Sequence, residues 1–357
     1  MLRAGWKPAR TLLLASWDGE EYGLLGSTEW VEEHQSALHT HALAYINVDV
    51  GARGPVFNAA ANPLLHTLLH TATSRVADPN SVADGKFNVS VHDRWNGRIA
   101  PLGSGSDYTA FQDHLGIPSV DMGFGEAKGG AIYHYHSNYD SFTWMEKFGD
   151  PGFSYHVAIA KIWGLIALNL AESPIVQFNA TNYAVAMQGY LDNIIAEVNT
   201  TTTATATAST TPQHPRCSHH HRNITRADVL HTLTHLSHTL SRFTHTTKHF
   251  DLYAARLARE LAKDPSEIPW WRRYMLYIRA RSVNQRYKYL DRAFVHPAGL
   301  EGRPWYRHVV YAPGKWTGYM GDTFPGLIEA VRDKDWAAAV RWAWIIRGAV
   351  ELAGKEL

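Results

Sequence analysis

The feature that most limits what this chain can fold into is a change of rhythm at Pro151. Before it, apolar runs of strand length (Thr11 to Trp17, Leu43 to Val48, Ile117 to Met122) alternate with helical stretches (Leu24 to Leu38, Pro63 to Val76). This predicts an α/β unit with a mostly parallel sheet flanked by helices, its functional residues at the carboxyl ends of the strands. Asp18 and Asp49 follow two of these runs, as that rule requires. Beyond Pro151 only helical spacing remains: Phe153 to Leu170, then Val229, Leu230, Leu233, Leu236, Leu240 and Phe243, then Trp336 to Leu352. Two domains are therefore expected, 1–173 and 174–357, the second α-helical. Between its helices, 199–222 is rich in Thr and Ala and carries Pro212, Pro215 and a His219, His220, His221 run. With few large apolar groups to offset its ordering entropy, it is expected to be a disordered insertion.

Composition narrows the function classes. With 357 residues, 45% of them hydrophobic, the chain can bury a sizeable core. Lys plus Arg (34) and Asp plus Glu (33) nearly cancel, which excludes a strong field toward nucleic acid or an anionic membrane. The basic aromatic cluster Trp270, Trp271, Arg272, Arg273 is accordingly expected to pack as a helix start. Cys217 is the single cysteine, so no intrachain disulfide forms. No apolar run reaches the roughly 18 residues of a membrane span, and Met1 to Arg10 lacks a signal-peptide hydrophobic region. Sequons at Asn88, Asn179, Asn199 and Asn223 would matter only in a secretory lumen.

The strongest chemical signal is Ser16-Trp17-Asp18-Gly19-Glu20-Glu21-Tyr22-Gly23, directly after the first apolar run. Adjacent carboxylates point in different directions, so one can bind a cation while its neighbour removes a proton from water. Taken alone the pair reads equally as solvated acids before a helix. Three further loops carry polar groups in order along the chain. Asp49 ends Ala44-Tyr45-Ile46-Asn47-Val48, the small-residue loop Leu102 to Asp107 lets a ligand approach the backbone, and Tyr135 and His136 open a polar loop ending at Asp140.

Taken with MEKFGDP, RPWYRHVVYAP and FPG further on, these motifs resemble the co-catalytic zinc peptidases of the glutamate carboxypeptidase II and transferrin receptor branch. The resemblance covers nearly the whole chain outside the Thr/His tract. It implies part of a zinc-peptidase domain followed by a helical dimerisation domain that forms a homodimer, and a peptide substrate. By that resemblance Glu20 is the general acid/base, Glu21 and His136 ligate one zinc, Asp49 ligates the other, and Tyr135 helps stabilise the tetrahedral intermediate. Glu29 and Glu32 match positions at a structural calcium. Ser104, Gly105, Ser106 and Tyr319 fall at substrate contacts. The implied chemistry is peptide hydrolysis by water activated between two zinc ions roughly 3.5 to 4 Å apart.

The family's site also uses a histidine and a bridging aspartate that precede the segment beginning at Gly5, so residues 1–357 alone are expected to hydrolyse peptides poorly. Asp121 and Gly123 stand where the glutamate-selective enzyme has arginines, and Gly318 where it has a lysine. Asp121 would repel an acidic substrate, which points to apolar or general peptides. The alternative is a noncatalytic, receptor-like or dimerising relative. A membrane anchor lies outside this chain but is typical of the family, whose enzymes face the extracellular or vacuolar lumen.

Overall fold

The computed structural model describes residues 5–200 and 224–357. Its main sheet has four strands in the order β1 (Tyr45–Asn47), β4 (Ser119–Gly125), β2 (Val56–Ala61), β3 (Ile99–Ala100). The β1–β4 and β2–β3 pairs are parallel and β2–β4 is antiparallel. Helices α1 (Leu25–Glu33), α2 (Gln35–His41), α3 (His66–Thr73), α4 (Pro79–Ala83), α5 (Val91–Arg94), α6 (Phe142–Trp144) and α7 (Ser154–Glu172) surround it. The helical part holds α8 (Ala180–Thr200), α9 (Arg226–Leu261), α10 (Trp270–Leu290), α11 (Pro325–Arg332) and α12 (Trp336–Glu356), with a small hairpin of β5 (Tyr311–Pro313) and β6 (Gly321–Thr323).

Two expectations need correcting. Thr11 to Trp17 is not a strand: no ladder forms along it, and Leu13 and Leu14 are 68% and 85% exposed. An apolar run becomes a strand only where a neighbouring backbone offers hydrogen bonds, and none does so here among the described residues. Leu24 to Leu38 divides at His34 into α1 and α2. The insertion expected at 199–222 lies outside the described residues, apart from Asn199 and Thr200, which end α8.

Helix α7, 19 residues long, is apolar enough by length and composition to cross a membrane, although its contiguous apolar runs are short. Here it packs Ile159, Ile162 and Ile166 into the core, and Trp163 Nε1 donates to Ile46 O of β1 at 3.0 Å. One continuous apolar cluster runs from Phe57, Val120 and Phe124 of the sheet through α7 and α8 to Val350 of α12. Along α9, Val229, Leu233, Leu236, Leu240 and Phe243 are buried at steps of three and four, the spacing the sequence showed. Asp251, inside α9, caps α8 by accepting from the backbone of Ala180 (3.1 Å) and Thr181 (2.8 Å) and from Tyr287 Oη (2.8 Å).

The sheet and the helical part are joined by a buried polar knot. Gln112, just before β4, accepts from Ser119 N (3.2 Å) and donates to Asp291 Oδ2 (3.0 Å). On the other side of Asp291, His308 Nε2 lies 3.2 Å from Oδ1. His308 Nδ1 accepts from the backbone N–H of Val310 and Tyr311, so the ring proton sits on Nε2, facing the carboxylate. Burial alone would raise the Asp291 carboxyl, but His308 and the surrounding donors hold it below its ordinary value. Asp113 is also fully buried; burial pushes its carboxyl well up, with the Arg303 guanidinium opposing and the Asp291 charge adding to the rise. Two nearby carboxyls cannot both ionise cheaply, and the surroundings favour the anion at Asp291 and the protonated acid at Asp113.

The signs follow by linkage. Stability from Asp291 is present above its unfolded pKa and is lost as pH falls through the depressed folded value. Asp113 keeps a proton that the unfolded chain releases, so its contribution is full at low pH and declines as pH rises. Asp291→Asn should therefore cost about 3–5 kcal/mol at neutral pH. Asp113→Asn should leave neutral stability equal or higher and flatten its fall with pH; urea unfolding midpoints at acidic and neutral pH check both.

Candidate active site

The paired carboxylates sit on one turn of 3₁₀ helix, Glu20–Tyr22, between Gly19 (φ 67°) and Gly23 (φ 105°). This turn brings Glu21 to His136: Oε2 and Nε2 are 3.0 Å apart, and both side chains are exposed. The Tyr135 ring stacks on His136 with centroids 3.7 Å apart. Burial raises the Tyr135 hydroxyl, with Tyr319, Asp49, Glu21 and Glu20 adding to it. Glu20 is half-buried; its carboxyl is raised first by burial, then by Asp49, Glu21 and Asp107, with His136 opposing. The four residues expected around a cation thus share one electrostatic neighbourhood, with Tyr135 beside them.

Two of the six non-glycine residues with left-handed backbone among the described residues lie at the same place. Val50, directly after Asp49, has φ 50° and His136 has φ 55°. Left-handed backbone costs a β-branched or bulky residue on the order of 1–2 kcal/mol, and such strain gathers where function fixes a side chain.

A cleft of about 670 Å³ opens beside the acids, lined by Asp49, Ser104, Gly105, Ser106, Asp121, Tyr135 and Tyr319. Its glycine loop and Tyr319 are in intimate contact: Ser104 N donates to Tyr319 O at 3.1 Å. A Cβ on Gly103 would lie 2.1 Å from that oxygen, and one on Gly105 would lie 2.5 Å from the Tyr319 ring. Only glycine permits this approach, which joins the glycine loop to the β5–β6 hairpin. Asn47 Nδ2 donates to Ser106 Oγ (2.8 Å) and Asp121 Oδ1 (2.9 Å). Burial pushes Asp121 up to about 6, with Asn47 opposing and the Asp49 charge adding to the rise.

Sequence reasoning missed three charged groups near the acids. Asp107 closes the small-residue loop; its carboxyl is raised by burial, and its buried Oδ1 has no hydrogen-bond partner. Its place at the end of a glycine and serine loop was the signal. Arg53 and Arg98 also line the cleft, so cations are present although the positions after Ile117 lack them. Nothing in their local sequence marked them.

Other sequence-predicted residues lie apart. Glu32 on α1 accepts from Trp305 Nε1 at 2.6 Å, while Glu29 is exposed one turn earlier. Trp270 and Trp271 do begin a helix, and within one chain they are 81% and 57% exposed.

As a zinc centre the fit is partial. Glu21 and His136 converge as a ligand pair, and Asp107 offers an unpartnered oxygen. No group of three or more His, Cys, Asp or Glu with metal-holding geometry forms among the described residues.

Comparison with known proteins resolves the ancestry. Residues 1–148 match the model of peptidase family M28, and 231–357 match the transferrin receptor-like dimerisation domain. The chain belongs to the transferrin receptor-like branch of peptidase family M28. It is 36% identical to probable glutamate carboxypeptidase LAMP1 of Arabidopsis thaliana, over 92% of this chain and 41% of that protein. It is 37% identical to a probable glutamate carboxypeptidase of Arthroderma benhamiae, over 98% and 43%. Against mouse aminopeptidase NAALADL1 the identity is 30%, over 100% and 46%. The chain thus spans less than half the length of the curated relatives it matches. Within M28, the Glu20–Glu21 turn and the Tyr135–His136 loop both fall inside the matched peptidase segment.

Replacing Asp49 with Asn should lower the Glu20 pKa toward its ordinary value, because one of the charges raising it disappears. Carboxyl carbon shifts of Glu20 followed through a pH titration check this.

Proposed function

We propose that this chain is the catalytic and dimerising part of a zinc-dependent exopeptidase. The observation that carries the reading is the convergence of Glu21 and His136 beside Glu20 and Asp49, with His136 itself held at φ 55°. Glu21 and His136 would hold one ion and Asp49 would contribute to a second, with a histidine and a bridging aspartate required in addition. Bound there, zinc supplies an activated water and polarises the scissile carbonyl. Glu20, raised by burial and its acidic neighbours, takes the proton from water and returns it to the leaving amine. The Tyr135 hydroxyl, kept protonated, donates to the developing oxyanion. Ser104, Gly105, Ser106 and Tyr319 position the peptide along the cleft.

The cleft carries both signs of charge, Arg53 and Arg98 with Asp49 and Asp121. Asp121 beside the reacting end disfavours an acidic residue there, so a carboxypeptidase, dipeptidase or aminopeptidase acting on neutral residues is the substrate class proposed. Exposed Asn88, within a sequon, accords with an extracellular or vacuolar lumen. Glu29 and Glu32 as calcium ligands remain a proposal from resemblance; Glu32 is already engaged by Trp305.

In an active form of the protein, Glu20→Gln should lower kcat by about 10²–10⁴ while zinc content stays unchanged. Full activity in that variant, on leucyl or glutamyl peptides, would remove Glu20 from the mechanism.

The noncatalytic reading shares the second half of the proposal, a homodimer through the helical domain. It is supported by the matched dimerisation domain and by an exposed apolar face of α10, where Trp270, Trp271, Tyr274, Tyr277 and Ile278 lie uncovered. Trp270→Glu combined with Tyr274→Glu should shift sedimentation from dimer to monomer; an unchanged dimer would place the interface elsewhere.

A further inference from the structure

Histidine occupies positions 231, 235, 238, 245 and 249 of α9, all exposed. With Arg242 between them the steps are four, three, four, three and four, which sets them on one outer face of the helix. At 245 and 249 the rings converge: the two Nε2 atoms are 3.1 Å apart and the ring centroids 4.4 Å. One turn away on either side stand Ser241, Arg242, Leu252 and Tyr253, so no carboxylate completes an oxygen-rich shell suited to calcium or magnesium.

We propose that His245 and His249 chelate a divalent late transition metal, such as Zn²⁺ or Cu²⁺, through their Nε2 atoms, forming a second metal locus on the outer face of α9. At imidazole–metal distances of about 2.0–2.1 Å, a 3.1 Å separation subtends roughly 100° at the ion, between square-planar and tetrahedral values. Imidazole nitrogen suits these cations, and copper is favoured over zinc by the usual stability order. One ring now donates its Nε2–H to the other ring's Nε2; loading the site moves that proton through solvent to the same ring's Nδ1, so both Nε2 lone pairs face the ion, each ring keeps one N–H, and no net proton is released. Water fills the remaining positions, because no third His, Cys, Asp or Glu joins the pair among the described residues. Two ligands give an exchangeable site rather than a structural one.

The nearby cations do not block it. Arg242 Nη2 is turned toward Thr239 Oγ1 at 3.4 Å, and Lys248 projects about 100° around the helix from His249. His231 and His235, with ring centroids 4.6 Å apart, repeat the spacing about four turns earlier without the same nitrogen contact.

The test is histidine ring NMR on the full chain, stripped of metal and titrated with ZnCl₂. The His245 and His249 signals should shift together. In His245→Gln the His249 response should need roughly tenfold more zinc or beyond, since a chelating ligand is lost. These substitutions are exposed and should leave the fold intact, verified by unchanged circular dichroism. A His249 signal that responds equally in wild type and His245→Gln would show independent single-histidine binding and overturn the proposal, as would no response from either ring. Because the readout is assigned to these two rings, the His219 to His221 run and the candidate active site do not confound it.

Discussion

The Asp291 carboxylate is the interaction on which the arrangement of the molecule rests. It is wholly buried and ionised, and its partners come from opposite halves: Gln112 leading into β4, and His308 leading into the β5–β6 hairpin. A buried anion without those donors would be very costly, so neither half can reposition without leaving a charge unpaired. The same seam carries the backbone of Arg307 and His308 donating to Asp113 O, and His114 Nδ1 against Trp305 O at 2.7 Å. By fixing the hairpin against β4, the knot places Tyr319 on the glycine loop at Ser104. The cleft is therefore built from both halves of the chain, and its shape depends on a polar contact remote from the acids.

Apolar packing supports this joint without dictating its geometry. Four short strands cannot enclose a core by themselves; α7 and the α8–α9–α12 layers supply most of the buried side chains. Hydrophobic contact is non-directional and tolerates sliding, whereas Gln112, Asp291 and His308 demand particular angles. Asp251 plays a comparable role at the start of α8, where a carboxylate from another helix satisfies N–H groups that the helix cannot pair internally.

Much of this was legible in the residues. The change of rhythm at Pro151 located the turn from sheet to helices, and the apolar spacing of α9 appeared as written. The Glu20, Glu21, Asp49 and His136 grouping was legible only through motif resemblance, since each residue alone had an ordinary reading. Tertiary effects stayed hidden. The leucines of Thr11 to Trp17 carry strand propensity, but whether a strand forms depends on a neighbour that local sequence does not describe. Asp113 and Asp291 look like surface acids in sequence, and only the fold shows that one must stay protonated. Arg53 and Arg98 enter the cleft from separate segments, so their charges could not be added to it beforehand.

The electrostatics of the cleft carry a further consequence. Asp49, Asp107 and Asp121, with Glu20 and Glu21, crowd negative charge into one region; Glu20, Asp107 and Asp121 are each raised by burial, with neighbouring carboxylates adding to the rise. Protein stability alone would not select such crowding, because like charges at close range destabilise the fold. Strain at Val50 and His136 adds to the cost at the same place. A site that concentrates repulsion and backbone strain is stabilised by whatever supplies positive charge there. Divalent cations answer that need more fully than Arg53 and Arg98, which line the cleft walls. The penalties thus gather where Asp49, Glu20 and Asp107 raise one another, in the same region whose cleft Arg53 and Arg98 also line.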